Sequence, residues 1–143
     1  MFPRPRLFLC YRQLEGLVTH KVLIVDDSKL ARMAVVRALN ALHPDWMRVE
    51  AANAEEALEH VSQGTVDIIL LDFNMPGKDG LTLAAELHRT HPRIGIAVIS
   101  ANHQVEVVRR AQAAGATFLP KPLTAKALGD FLDLAAKRLQ GTG

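Results

Sequence analysis

The sequence predicts an α/β domain: a doubly wound parallel sheet with helices on both faces. Three observations carry the prediction. Apolar runs at 22–25, at 66–71 broken only by Asp67, and at 94–99 are continuous rather than alternating, as in strands buried on both faces. Apolar residues at helical spacing lie between and after these runs. Ala31, Ala34, Val35, Ala38 and Leu42 form one stripe, with Leu30, Met33 and Leu39 blurring its edge, and Leu128, Phe131, Leu132, Ala135 and Leu139 form another. The two patterns alternate along the chain, and that alternation specifies parallel strands with helical crossovers.

Taken in order, a strand at 21–25 follows from the first run and a helix at 29–42 from the first stripe. A strand at 47–52 precedes a helix at 54–63, where Asn53 and Glu56 read as a capping box and Gly64 as the stop. The run at 66–71 is the third strand, followed by a helix at 80–90. The run at 94–99 is the fourth strand, and a helix at 103–114 ends at Gly115. A strand at 116–120 and a helix at 124–139 complete the series. Short right-handed crossovers leave few topologies, and in such sheets ligands bind beyond the carboxyl ends of the strands.

The chain has 143 residues, 49% hydrophobic and 22% charged, which suits one domain with an ordinary core and excludes a disordered chain. No apolar run approaches the roughly 20 residues that span a bilayer, so no membrane insertion is expected. A lone Cys10 can form neither an internal disulfide nor a zinc-thiolate site, and a reducing cytoplasm is the expected compartment. The net charge of +2 comes entirely from Arg4, Arg6, Arg12 and Glu15. The body from residue 18 onward is therefore neutral, and nucleic acid is not an expected partner. Residues 1–17 carry a five-residue apolar run, too short for the core of an export signal. They read as a poorly ordered arm or an extension ahead of a start at Val18, leaving 18–143 as the domain.

The chemistry gathers at the carboxyl ends of the strands. Asp26 and Asp27 follow the first strand, Asp72 the third and Ser100 the fourth, while the fifth runs into Lys121 and Pro122. Three carboxylates this close repel one another unless a cation lies among them. Oxygen-only donors suit Mg²⁺ or Mn²⁺, and Mg²⁺ prefers one or two carboxylates together with water and a phosphate oxygen. Lys121 is then a point charge for the phosphate, Ser100 a hydroxyl donor, and Asp72 a carboxylate able to attack phosphorus. One Asp at a strand end is ordinarily a turn former, but four strand ends carrying the right chemical types together argue for a site. None of the six His residues sits at a strand end, so each reads as a surface residue, and Trp46 and the Met residues read as packing.

These residues resemble the receiver domain of two-component response regulators over about 20–139. The carriers are Val22-Leu23-Ile24-Val25-Asp26-Asp27-Ser28, Leu71-Asp72-Phe73-Asn74-Met75-Pro76-Gly77-Lys78-Asp79-Gly80, Ile99-Ser100-Ala101, and Gly115-Ala116 with Phe118-Leu119-Pro120-Lys121-Pro122. The resemblance implies a flavodoxin-like five-stranded sheet in the order 2-1-3-4-5 with five helices. It implies that Asp72 is the phosphoacceptor, that Asp26, Asp27, Asp72 and the Asn74 carbonyl hold the metal, and that Ser100 and Phe118 form the switch. It also implies a cis peptide between Lys121 and Pro122, and that Asn74 and Asn102 flank the path of attacking water. The phosphodonor would be a histidine kinase or phosphotransfer protein. The output would be a changed surface on helix four, strand five and helix five, read by a downstream protein. A chain ending at the fifth helix suggests a stand-alone regulator, such as the chemotaxis type or a phosphorelay shuttle, monomeric unless activation pairs it.

Two alternatives stand beside this reading. A receiver-like interaction module that is never phosphorylated would not need Asp72, Ser100 and Lys121 together. A phosphatase of the haloacid-dehalogenase kind would place its nucleophile in an Asp-x-Asp pattern after the first strand, whereas Asp26 and Asp27 are adjacent. A nucleotide or flavin site would need a Gly-rich first turn, which Asp27-Ser28-Lys29 is not.

Overall fold

A computed structural model describes residues 19–75 and 79–141. The arm assigned to residues 1–17, and Pro76, Gly77 and Lys78 of the third-strand motif, lie outside the described residues. The elements alternate as expected: β1 (Lys21–Val25), α1 (Lys29–Leu42), β2 (Met47–Ala51), α2 (Ala54–Ser62), β3 (Ile68–Asp72), α3 (Gly80–Thr90), β4 (Gly95–Ser100), α4 (Val105–Ala113), β5 (Thr117–Pro120) and α5 (Ala125–Gly141). All strand pairs are parallel and the sheet order is β2-β1-β3-β4-β5.

Strand alternation divides the apolar runs between two cores. Leu23, Val25, Ile69, Leu71, Ile96 and Val98 face α2, α3 and α4. Their neighbours Val22, Ile24, Ile68, Leu70, Ala97 and Ile99 face α1 and α5. Both faces are covered, which is why these runs carry no polar alternation. β2 is an edge strand and only Ala51 in it is buried. Helix starts are set by short side chains: Ser28 Oγ accepts from Ala31 N–H, Asn53 Oδ1 from Glu56 N–H, Asp79 Oδ1 from Thr82 N–H and Thr124 Oγ1 from Ala127 N–H.

The structure corrects several details. β3 starts at Ile68 rather than 66, because the chain leaves α2 through two successive left-handed residues, Gly64 and Thr65. Asp67 then ties the amino ends of the sheet: its carboxylate accepts from Lys21 N–H and its carbonyl from Gly95 N–H. In α1 the buried face is turned toward Leu39, which is fully enclosed between the sheet and α5, while Ala34 is exposed. His20 is not a surface residue. It lies buried at the amino end of β1, edge-on to Trp46, and its Nε2 has no hydrogen-bond partner. Trp46 and Met75 pack as read, whereas Met33 and Met47 are exposed, one on the outer face of α1 and one on the edge strand. Among the described residues no helix is long and apolar enough to cross a membrane.

Candidate functional site

Parallel register builds the site. Val25 pairs with Leu71, so the next residues, Asp26 and Asp72, leave adjacent strands side by side. Asp72 pairs with Ile99 and Ser100 with Pro120, which carries Ser100 and Lys121 to the same edge. One carboxylate oxygen from each of Asp26, Asp27 and Asp72 lies within 4.8 Å of the others. Asp26 and Asp72 are buried and Asp27 is exposed, so the cluster opens to solvent on one side.

Charge around the cluster is unbalanced. Lys121 Nζ donates to Asp72 Oδ1 at 2.9 Å and gives the three carboxylates one cation. Burial pushes the Asp26 carboxyl above its ordinary value, and the Asp72 and Asp27 carboxylates push it the same way. The Ser28 N–H, bonded to Asp26 Oδ1 at 2.9 Å, and the Lys121 ammonium oppose that rise. A buried carboxyl beside two others fits a hard divalent cation, which would relieve the repulsion and take oxygen donors only. Asn74 is exposed next to this cluster in sequence, at the start of the β3–α3 loop.

Ser100 is buried, and its hydroxyl oxygen accepts from Asn102 N–H at 2.9 Å. Asn102 Oδ1 in turn accepts from Gln104 N–H at 3.0 Å, so the β4–α4 loop is two linked side-chain turns. Phe118 pairs with Val98, two residues before Ser100 on the same sheet face, and its half-buried ring meets the exposed His103 edge-on at 5.9 Å. The Lys121–Pro122 peptide is cis.

Three residues of the site went unread in the sequence. Arg32 binds the Asp26 carbonyl, Glu50 binds Arg32, and Gly80 lies against the Asp72 backbone. Only the glycine left a trace, as the last residue of the third-strand motif. Beside the cluster, α1 and the segment after β5 enclose an apolar groove of about 360 Å³ that reaches Asp26 and Lys121.

A parallel sheet in this order, with acids at the ends of β1 and β3 and a lysine after β5, defines a receiver-type α/β domain. The chain matches the response regulator receiver domain family over residues 22–133 and belongs to it. It is 41% identical over 110 residues to "Sensor kinase CckA" of Brucella abortus (strain 2308), covering 75% of this chain and 11% of that protein. It is 36% identical over 119 residues to the "Positive alginate biosynthesis regulatory protein" of Pseudomonas aeruginosa, covering 81% of this chain and 47% of that protein. The chain thus spans less than half the length of these curated relatives. Among solved structures, the receiver domain of Saccharomyces cerevisiae Ssk1, crystallised with the histidine phosphotransfer protein Ypd1, has a TM-score of 0.74 at 20% identity. That match covers 85% of this chain and 92% of the solved one, and at this identity it shows the fold. Domains of this family are phosphoacceptors of two-component signalling and bind Mg²⁺ through acidic residues, the residue type gathered here.

Proposed function

We propose that Asp72 accepts a phosphoryl group from the phosphohistidine of a histidine kinase or phosphotransfer protein. The observation that carries this is a buried Asp72 held at 2.9 Å by Lys121 Nζ, inside a cluster that also holds Asp26 and Asp27. An Asp72 carboxylate oxygen attacks phosphorus, the P–N bond breaks, and its electron pair leaves on the histidine nitrogen. The product is an acyl phosphate. Asp26, Asp27, Asp72 and the Asn74 carbonyl would hold Mg²⁺, or Mn²⁺ with the same oxygen donors, which when bound neutralises charge on the phosphoryl oxygens. The Lys121 ammonium passes from Asp72 Oδ1 to a phosphoryl oxygen as charge develops there. Asn74 and Asn102 flank the water that later hydrolyses the acyl phosphate, and neutral amides orient that water without removing its proton. The bound phosphoryl group therefore lasts seconds to minutes.

The donor reaches Asp72 from the open edge, and the apolar groove of Ala31, Ala34, Ala38, Ile99, Pro122 and Leu123 lies along that approach. The Ssk1 receiver, of the same fold, has been crystallised with a phosphotransfer protein. Because histidine phosphodonors are made from intracellular ATP, the proposed compartment is the cytoplasm.

The output follows from the β4–α4 loop. When the Ser100 hydroxyl turns to a phosphoryl oxygen it gives up the Asn102 N–H, and the two linked turns that carry His103 lose their anchor. His103 then leaves the Phe118 edge, and the ring moves into the space vacated by Ser100. That movement changes the surface of α4, β5 and α5, which a downstream protein reads as a monomer or as a pair formed on activation. Intact-mass measurement after incubation with acetyl phosphate and Mg²⁺ tests the chemistry. One phosphate is expected on the wild-type chain and none on Asp72→Asn. Equal uptake by Asp72→Asn overturns the assignment.

A further inference from the structure

We propose that Arg32 is a positioning residue for the metal-binding turn: it fixes the Asp26–Asp27 peptide and so holds the acidic pair toward Asp72 before any cation arrives. The inference rests on the metal role given above to Asp26 and Asp27. Asp26 is the point at which the chain leaves the sheet. Its N–H still pairs with β2, donating to Ala51 O at 3.1 Å, but its carbonyl has passed the end of the ladder. Arg32 Nη1 supplies the missing donor at 2.6 Å. The carboxylate of the same residue accepts from Ser28 N–H, so Asp26 is fixed at its N–H, its carbonyl and its side chain.

The guanidinium is itself anchored. Arg32 lies within the first turns of α1 with a side chain only 15% exposed, and its Nε donates to Glu50 Oε1 at 2.8 Å. Glu50 pairs with Ile24 in the sheet, so the Arg32–Glu50 contact links α1, the edge strand and the turn after β1. A planar guanidinium reaches a carbonyl and a carboxylate through two different nitrogens in fixed geometry, which the single ammonium of a lysine does not do. Without this strut, repulsion among Asp26, Asp27 and Asp72 would rotate the Asp26–Asp27 peptide and swing Asp27 out toward water. With it, less ordering is left for the cation to impose, and that raises its affinity.

A positioning role and a purely electrostatic one have opposite signs. On Coulomb interactions alone, removing a positive charge near the site would end its repulsion of Mg²⁺ and tighten binding, whereas losing the strut weakens it. The test is calorimetric titration of the full chain with MgCl₂, for wild type, Arg32→Met, Arg32→Lys, Glu50→Gln and, as a control, exposed Arg37→Met. Expected results are a Kd about tenfold weaker for both Arg32 variants, a smaller weakening for Glu50→Gln and no change for Arg37→Met. Because Arg32→Lys keeps the charge, its failure to rescue separates geometry from field. Should Arg32→Met not fold, Arg32→Lys carries the comparison, because Glu50→Gln removes a negative charge and weakens Mg²⁺ binding on either account. Wild-type protein that binds Mg²⁺ while the Arg32 variants bind equally well or more tightly overturns the role of Arg32. A wild-type chain that binds no Mg²⁺ overturns the reading of the metal site itself.

Discussion

Gly80 makes the placement of Asp72 depend on a missing methyl group. It is the first residue of α3, and its N–H donates to Phe73 O at 3.1 Å, so helix and strand end touch through backbone. A Cβ at this position would lie 2.4 Å from Asp72 O and 3.0 Å from Phe73 Cα. Non-bonded carbon and oxygen rest at about 3.3 Å or more, so Gly80→Ala must part α3 from the end of β3 by about 0.9 Å. Neither side yields readily: β3 is the central strand, paired on both edges, and α3 buries Leu81, Leu83, Ala84 and Leu87. The expected destabilisation is about 1–3 kcal/mol, as for an overpacked core. Because a displacement near 1 Å falls on the residue bearing the nucleophile, the rate of phosphorylation should drop by roughly ten- to a hundredfold. The assay is the initial rate of acetyl phosphate incorporation at saturating Mg²⁺, with urea unfolding of the same preparations. Gly129→Ala, within α5, is the matched control: its Cβ would meet Leu42 Cδ2 of α1 at 3.7 Å, an ordinary contact, and should stabilise by about 0.5–1 kcal/mol with the rate unchanged. A folded Gly80→Ala protein phosphorylated at the wild-type rate would refute the reasoning.

Asp26→Asn should stabilise the metal-free protein at neutral pH. The folded carboxyl has its pKa raised above the ordinary 3.8, so the unfolded chain ionises first as pH rises, and the folded state is increasingly penalised through its own, higher titration. The gain should therefore be present at pH 7 and shrink toward pH 4, and urea unfolding that shows the same difference at both would contradict it. Thr65 holds φ +84°, a left-handed conformation that a β-branched residue adopts at a cost, so Thr65→Asn should stabilise by about 1 kcal/mol, read as a shifted urea midpoint at constant slope. Phe118→Ala, which removes a half-buried ring from the edge of one core, should cost about 1–2 kcal/mol and leave the phosphorylation rate within about twofold. A folded Phe118→Ala protein that takes up no phosphate would place the ring in the chemistry rather than in the readout.

The fold was legible because burial on both faces writes itself into the chain as uninterrupted apolar runs, and 22–25 and 94–99 could hardly be anything but central strands. The boundaries at Val66 and Ser100 were less so. Val66 is apolar and buried, yet it follows a left-handed turn and lies outside the ladder. Ser100 is polar, yet β4 includes it. Leu39 was misjudged for a related reason: period alone fixes the width of a helical stripe, while its rotation depends on the neighbour, here α5. His20 shows the opposite failure. A polar residue just before a strand reads as exposed, whereas His20 is buried with its ring edge-on to Trp46, a neighbour that lies beyond α1 in the chain.

The site divides along the same line. Asp26, Asp27, Asp72, Ser100 and Lys121 could be picked out because each lies at or just after the carboxyl end of a strand, and parallel strands of similar length bring those ends to one edge. Arg32 and Glu50 could not, because their roles depend on register, and Gly80 showed only as the last residue of the third-strand motif. Glu50 meets Arg32 only because β2 pairs with β1 so that Glu50 stands beside Ile24, two residues before Asp26. A slip of one residue along β2 would turn Glu50 to the other face of the sheet and leave the guanidinium with the carbonyl alone. The sequence therefore announces the groups that meet phosphate and metal through their chemical type. The groups that hold them in place announce nothing until the strands are aligned, since an arginine six residues after an aspartate is ordinary helix surface in any other pairing.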